Sequence, residues 1–438
     1  MSGGGAWTGA AVAAVTGGYA LFSRYLASTP VSAPMVFTGF GVLIGPVGLD
    51  MLDLGHDAGL VLTLVESALA LLLFVDAMTV RRRDLRTGGV LPLRLLVIGL
   101  PLTIGAGWLL AWPLLPGLTM WELALVAAIL APTDAALGKG AVANPGVPAL
   151  VRHGLNVESG LNDGLTLPFF LLFLAALTGT DASDDGLGGV FWKALVLSAA
   201  VGVAVGGAGG WLLPWARAKG WVTSEWREVF VVAVAFGAYS VAVAADGSGF
   251  IAAWVAGFTF AVGLRRTAPP NGSGSPGSAD GAEERPAELA EFVAGLLGTL
   301  SFLVFGAVLL GPALEHLDWR IVVYAVLSLT VVRMLPVALS LIGTGFRPST
   351  VAYLGWFGPR GLASVVFGLL VAEENVPGIG LLGRVVSVTI GLSILLHGMS
   401  APFLAARYAG WYEAAASTTP GLPESSGAPE PAEARRLR

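Results

Sequence analysis

Within a long apolar run, the stretch NVESGLNDG at residues 156–164 gathers Glu158, Ser159, Asn162 and Asp163. On a helix, residues four apart share a face, so Ser159 and Asp163 line one edge and Glu158 and Asn162 the adjacent one. Two carboxylates, a carboxamide and a hydroxyl are oxygen donors suited to a hard cation such as Na⁺ or Li⁺. The chain has no Cys, and none of its four His falls in this stretch, so nothing here attracts a transition metal. A desolvated carboxylate favours its neutralised form. Asp163 is therefore expected to hold either a proton or a sodium ion.

A second segment, AAILAPTDAALGKG, carries Pro132, Thr133 and Asp134. Proline has no amide hydrogen, so the helix should break there, leaving the Ala128 carbonyl without its usual partner and the Thr133 hydroxyl available nearby. The run LGWFGPRGLASVVFG holds a matching interruption and Arg360, and LTVVRMLPVAL holds Arg333. Charges at bilayer depth are scarce and need partners. Arg333 is the expected counter-ion of Glu158, and Arg360 is expected to neutralise facing helix C-termini or Asp134. Blander readings stand beside these: a purely structural staple for Glu158 with Arg333, a helix cap for Asp134, and interfacial snorkelling for Asp76 and Glu66. Arg94, Glu122 and Asp246 fall at predicted span ends, where snorkelling accounts for them.

These residues must be positioned by membrane helices. The chain of 438 residues is 55% hydrophobic and 12% charged, with a mean hydropathy of +0.78, far above a soluble domain. Apolar runs of roughly 18–25 residues match the hydrocarbon thickness as helices, not as barrel strands. The expected fold is an all-α polytopic membrane protein of about thirteen transmembrane helices. Basic residues recur in alternate connections, at Arg24, Arg81–Arg83 and Arg86, Lys139 and Arg152, Arg217, Lys219 and Arg227, Arg265 and Arg266, and Arg347. The positive-inside rule then places the N-terminus outside and the C-terminus in the cytoplasm of a multi-pass cell-membrane protein, with Lys193, Arg320 and Arg384 as exceptions. The two interrupted segments fall in spans five and twelve, an odd offset that orients them oppositely. That is the relation of two inverted six-helix repeats with broken crossing helices.

The transmembrane domain is expected over residues 1–414, with disordered cytoplasmic segments at 266–288 and 415–438, both rich in Pro, Gly, Ser and Glu. No cleaved signal peptide is evident at MSGGGAW. The small residues of GGAGG (206–210) and GSGFIAAWVAGF (247–258) suit close helix packing. A formal charge of −5 implies no nucleic-acid partner. No Ser/His dyad or catalytic aspartate pair supports an enzyme, and His56, His153, His316 and His397 fall mostly near predicted interfaces.

As a set, PTDAALG in span five, ESGLNDG in span six and FGPRGLASVVF in span twelve, with LLLFVDAM and DLR after span three and SGFIAAWVAGF in span nine, resemble the monovalent cation:proton antiporter superfamily. Within it they resemble the electroneutral sodium/proton exchanger branch, in a bacterial-type form without a long regulatory tail. The resemblance implies a thirteen-helix fold with inverted repeats, a homodimer, and a core domain that moves like an elevator beside a static dimerisation domain. By position it makes Asp163 the ion- and proton-binding carboxylate and Asn162 the neutral neighbour of the electroneutral branch. Thr133, Asp134 and Ser159 complete the ion site, with Asp163, Ser159 and Thr133 as Na⁺ ligands; Glu158 pairs with Arg333, and Arg360 steadies the helix crossing. The sequence has Ala135 where many relatives have proline. The expected activity is one-for-one exchange of Na⁺ or Li⁺ for H⁺, with no cofactor. A K⁺/H⁺ or electrogenic antiporter of the same fold is the alternative, and a cation channel is the rival from another class.

Overall fold

The computed structural model of the chain describes residues 3–27, 29–51, 54–79, 90–134, 137, 144–178, 186–267, 287–373, 378–419 and 421–425. Among the described residues the regular structure is helical, with no strand. The helices are α1 (Gly3–Leu26), α2 (Ala33–Ile44), α3 (Leu54–Thr79), α4 (Val90–Leu114), α5 (Met120–Ile129), α6 (Ala149–Thr178) and α7 (Gly186–Ala218). They continue with α8 (Ser224–Ala244), α9 (Gly249–Thr267), α10 (Glu288–Glu315), α11 (Trp319–Ser340), α12 (Pro348–Trp356), α13 (Leu362–Glu373) and α14 (Ile379–Thr418). Single π turns interrupt α4 at Leu95–Gly99 and α10 at Gly306–Leu310.

This is a multi-pass membrane protein. Among the described residues eight helices are long and apolar enough to cross a bilayer, namely α3, α4, α6, α7, α8, α10, α11 and α14, and shorter apolar helices occur in α2, α5, α9 and α13. Several of the thirteen expected spans are short or broken helices by this measure. Proline and glycine are the reason: α5 ends at Ile129 ahead of Pro132, and the apolar run from 348 to 373 divides into α12 and α13 around Gly358 and Pro359. Exposed side chains such as Leu21, Phe22, Trp192, Val203 and Trp226 make the outer surface one for lipid.

Most of 266–288 and 426–438 lies outside the described residues, as do Arg81–Arg83, Arg86, Ala135 and Lys139. The tail differs from the expected boundary at 415. The α14 helix continues to Thr418, and Pro423–Ser425 forms a 3₁₀ turn. Its Glu424 is buried and accepts from the Arg347 backbone N–H at 2.9 Å and the Thr350 hydroxyl at 2.7 Å. A carboxylate at the start of α12 satisfies amides that a helix N-terminus leaves open.

The described chain forms two compact units, one comprising residues 1–59, 81–178 and 299–438 and the other 60–80 and 179–298. In the first, α4, α6, α11, α12 and α14 share a core that includes Leu91, Leu155, Val337, Leu354 and Tyr408. Phe170 of α6 stacks on Phe367 of α13 with ring centroids 4.5 Å apart. In the second, Phe74, Val234, Phe260 and Ala290 anchor a separate core. There Glu66 and the Tyr239 hydroxyl interact, so Glu66 faces a partner inside its unit. The small residues of α7 let α9 approach at backbone distance. A Cβ on Gly206 would fall on the Ala256 backbone and the Thr259 hydroxyl, and one on Gly210 on the Phe260 carbonyl, whereas Gly207 faces open space.

Gly206→Leu is therefore expected to cost about 1–3 kcal/mol of stability by overpacking, and Gly207→Leu less than about 0.5 kcal/mol. Melting temperatures of the two variants in one detergent check this. Equal melting would mean that the α7–α9 contact does not require glycine.

Candidate functional site

The break after α5 exposes a row of backbone carbonyls, and four of those from Ile129 to Thr133 find donors from other elements. Ala128 O loses its usual partner at Pro132, as expected, and accepts instead from the Ala131 N–H at 3.2 Å in a tightened last turn. The next ones are taken up from outside. Ile129 O accepts from the Ser364 hydroxyl of α13 at 2.6 Å. Ala131 O and Pro132 O accept from Arg360 Nη1 at 2.6 and 3.3 Å. Thr133 O accepts from the Ser159 hydroxyl of α6 at 2.8 Å. Arg360 thus sits at the C-terminal pole of α5, the negative end of its dipole.

The break between α12 and α13 answers it. The Asp134 N–H donates to Pro359 O at 2.8 Å, and the Asp134 carboxylate accepts from the Leu362 N–H at 3.3 Å. Asp134 caps a helix, as one sequence reading has it, but the helix is α13 and not its own. The two non-helical stretches, 130–134 and 357–361, therefore run against each other and exchange both charges and hydrogen bonds. A Cβ on Gly361 would lie on the Asp134 carboxylate, and one on Gly358 on the Arg333 guanidinium.

Against this crossing lies the polar edge of α6. Asn162 Nδ2 donates to the Thr133 hydroxyl at 2.6 Å, so Thr133 is held twice by α6, through its carbonyl and through its side chain. Asn162, Asp163 and Thr133 are buried, and Asp134 and Ser159 are partly buried. The Asn162 Oδ1 is enclosed without a hydrogen-bond partner among the described residues. One residue on, Asp163 follows Ser159 by one helical turn on the same face. Glu158 turns the other way and meets Arg333 of α11 in a bidentate pair, Nη1 to Oε1 at 2.6 Å and Nη2 to Oε2 at 2.9 Å, with both side chains buried. Among the described residues no group of three or more His, Asp and Glu gathers at metal-binding spacing. Ser159, Thr133 and Asn162 offer hydroxyl, carbonyl and amide oxygens, donor types that suit a hard cation.

Two expected surface residues are structural instead. Glu122 is buried; it closes a capping box with Thr119 and accepts from the Gly378 N–H at 2.6 Å. Arg94 does not merely snorkel, because its guanidinium caps the end of α11 through Ser340 O and Ile342 O. His397, one of four histidines read as falling mostly near predicted interfaces, is fully buried and binds Ser393 and Trp356 O. A sequence signal that could have pointed there is the i, i+4 spacing of Ser393 and His397 on α14.

A family model described as sodium/hydrogen exchanger, transmembrane, matches residues 11–407. The chain belongs to this family. Over 386 residues it is 28% identical to a K⁺/H⁺ antiporter, NhaP, of Alkalimonas amylolytica, covering 86% of this chain and 62% of that protein. Over 143 residues it is 33% identical to a Na⁺/H⁺ antiporter of Saccharomyces cerevisiae, covering 30% of this chain and 14% of that one. The chain thus spans less than two thirds of the length of these relatives. Its fold matches the solved structure of the sodium proton antiporter MjNhaP1 from Methanocaldococcus jannaschii at pH 8, with a TM-score of 0.75, 19% identity, and coverage of 93% of this chain and 99% of that one. The superfamily that the motifs resemble is therefore the one to which this exchanger-family chain belongs.

Removing one partner of the Glu158–Arg333 pair leaves a buried charge uncompensated, so Arg333→Met is expected to cost about 3–5 kcal/mol. Adding Glu158→Leu should recover most of that loss, because the pair is then replaced by apolar packing. Thermal melting of both variants is the check. A single variant melting with the parent protein would show that the pair does not hold α6 to α11.

Proposed function

We propose that this protein is a secondary antiporter that exchanges Na⁺ or Li⁺ for H⁺, one for one, by alternating access. The observation that supports it most is the burial of the Asp163 carboxylate on the α6 face whose Ser159 and Asn162 grip Thr133 at the α5 break. A carboxylate removed from water is stable only when neutralised. Either a proton or an alkali cation does that, and the two compete for the same oxygens. Asp163, Ser159 and Thr133 supply ligands to the cation; Asn162 contributes a neutral amide where a second carboxylate would add charge. With a single titrating carboxylate, each half-cycle carries one positive charge and the full cycle moves none.

Family membership supports the reaction class. Glu158 with Arg333, and Arg360 with Asp134, serve as the frame and take no part in the charge count. The protein sits in the cell membrane with the N-terminus outside and the C-terminus in the cytoplasm, a reading supported by the alternation of basic connections. It works as a homodimer, which is supported by the resemblance and is checked by the mass of the detergent-solubilised particle. A K⁺/H⁺ reading keeps the same site; the Alkalimonas relative favours testing it.

Asp163→Asn in proteoliposomes should abolish cation-dependent proton movement while the melting temperature stays within a few degrees of the parent. Ser159→Ala should retain exchange but raise the apparent KM for the cation roughly tenfold, the scale of one lost ligand bond. A voltage-sensitive dye should report no potential during exchange with Na⁺, Li⁺ or K⁺. Persistent exchange in Asp163→Asn, or a potential that builds with turnover, would overturn this reading.

A further inference from the structure

The break between α12 and α13 is gripped from a third helix. Ser393 and His397 lie four residues apart on α14, so they share one face, and both are fully buried. His397 Nε2 lies 3.0 Å from Trp356 O, the last residue of α12. Ser393 Oγ accepts from the Arg360 N–H at 2.7 Å, two residues before α13 begins. The two side chains also touch, Ser393 Oγ to His397 Nδ1 at 3.1 Å.

Both ring nitrogens face a carbonyl, Nε2 that of Trp356 and Nδ1 that of Ser393, each at 3.0 Å, and a neutral ring donates to only one of them. The tautomer that ties the ring to α12 carries its proton on Nε2 and donates to Trp356 O. In the neutral ring Nδ1 is then an acceptor, filled by the Ser393 hydroxyl, whose own lone pair takes the Arg360 N–H. The chain runs without a gap from the end of α12, through the ring and the hydroxyl, to the Arg360 backbone. From Arg360 it continues through the guanidinium to Ala131 O and Pro132 O, directly ahead of Thr133.

We propose that His397 and Ser393 are a positioning pair for the cation site: they fix both sides of the α12–α13 break, so that Arg360 holds the α5 break and sets the place of Thr133. Neither residue touches the cation. Their effect passes through Arg360, and it is read as affinity. The inference rests on the exchange reading only where it is measured as cation affinity.

Three variants and two readouts test it. His397→Gln keeps a donor at the reach of Nε2, His397→Asn moves the donor back to the Nδ1 position, and Ser393→Ala removes the hydroxyl. Hydrogen exchange of backbone amides, which needs no transport, should accelerate at 357–362 and at 130–134 in His397→Asn and Ser393→Ala, and stay near the parent in His397→Gln. In proteoliposomes the apparent KM for Na⁺ should rise about fivefold to tenfold in His397→Asn, the scale of one buried hydrogen bond, with maximal rate changed less than about twofold, and His397→Gln should restore it. Faster exchange at 357–362 alone, or Asn and Gln variants that lose maximal rate and melting temperature in parallel with unchanged KM, would reduce the pair to packing and sink the proposal. If the parent protein itself exchanged no cation for protons, the functional reading would fall, and the hydrogen-exchange arm would still decide whether the grip exists.

Discussion

A helix that stops at membrane depth leaves amides and carbonyls that water cannot reach, and each unpaired group costs several kcal/mol. This chain stops helices at two facing places, and the rest of the site follows from satisfying what they expose. The carbonyls of Ile129, Ala131, Pro132 and Thr133 accept from Ser364, Arg360 and Ser159. The amides of Asp134 and Leu362 donate to Pro359 O and to the Asp134 carboxylate. Polar side chains in α6, α13 and α14 are thus obliged by the broken backbone, and the polar cluster they form is the site to which the proposed exchange assigns the cation.

The same obligation distributes charge. Arg360 has no carboxylate partner among the described residues and lies instead against the carbonyl end of α5. Asp134 occupies the amide end of α13. Each charge is met by a helix pole of opposite sign, so neither needs the other. Glu158 and Arg333 are matched directly. In the proposed exchange, a frame neutralised in this way surrounds the Asp163 carboxylate as it changes state without changing its own charge. Asn162 fits that logic, since an amide holds Thr133 with no charge added beside Asp163.

Sequence carried the parts that depend on local chemistry. Pro132 and the Gly-Pro pair at 358–359 break helices wherever they stand, the spacing of 158–163 puts its polar groups on neighbouring faces, and a buried Glu with a buried Arg elsewhere invites pairing. What sequence could not carry was which remote backbone group each side chain meets. Glu122 and Arg94 read as interfacial because they lie at span ends, yet they satisfy Gly378 and the end of α11. Asp134 reads as a cap, and only the crossing identifies α13 as the helix capped. Nothing in the sequence pairs His397 with the end of α12, which it meets. A broken span reads as one run of hydropathy but is two helices, as at 348–373.

The glycines of FGPRG show how closely the parts constrain one another. Gly358 lacks a Cβ where the Arg333 guanidinium passes, and that guanidinium cannot move aside because both its terminal nitrogens are bound to Glu158. Gly361 lacks one where the Asp134 carboxylate caps α13. An alanine at either place would have to displace a buried charge from its partner, so the steric demand of one methyl group becomes an electrostatic one. Close approach brings Arg333, and with it Glu158 and α6, up to the same break that Asp134 reaches from α5. The short motif is therefore where the frame's two charge arrangements come within contact of one backbone segment, and the position of α6 relative to Thr133 depends on both.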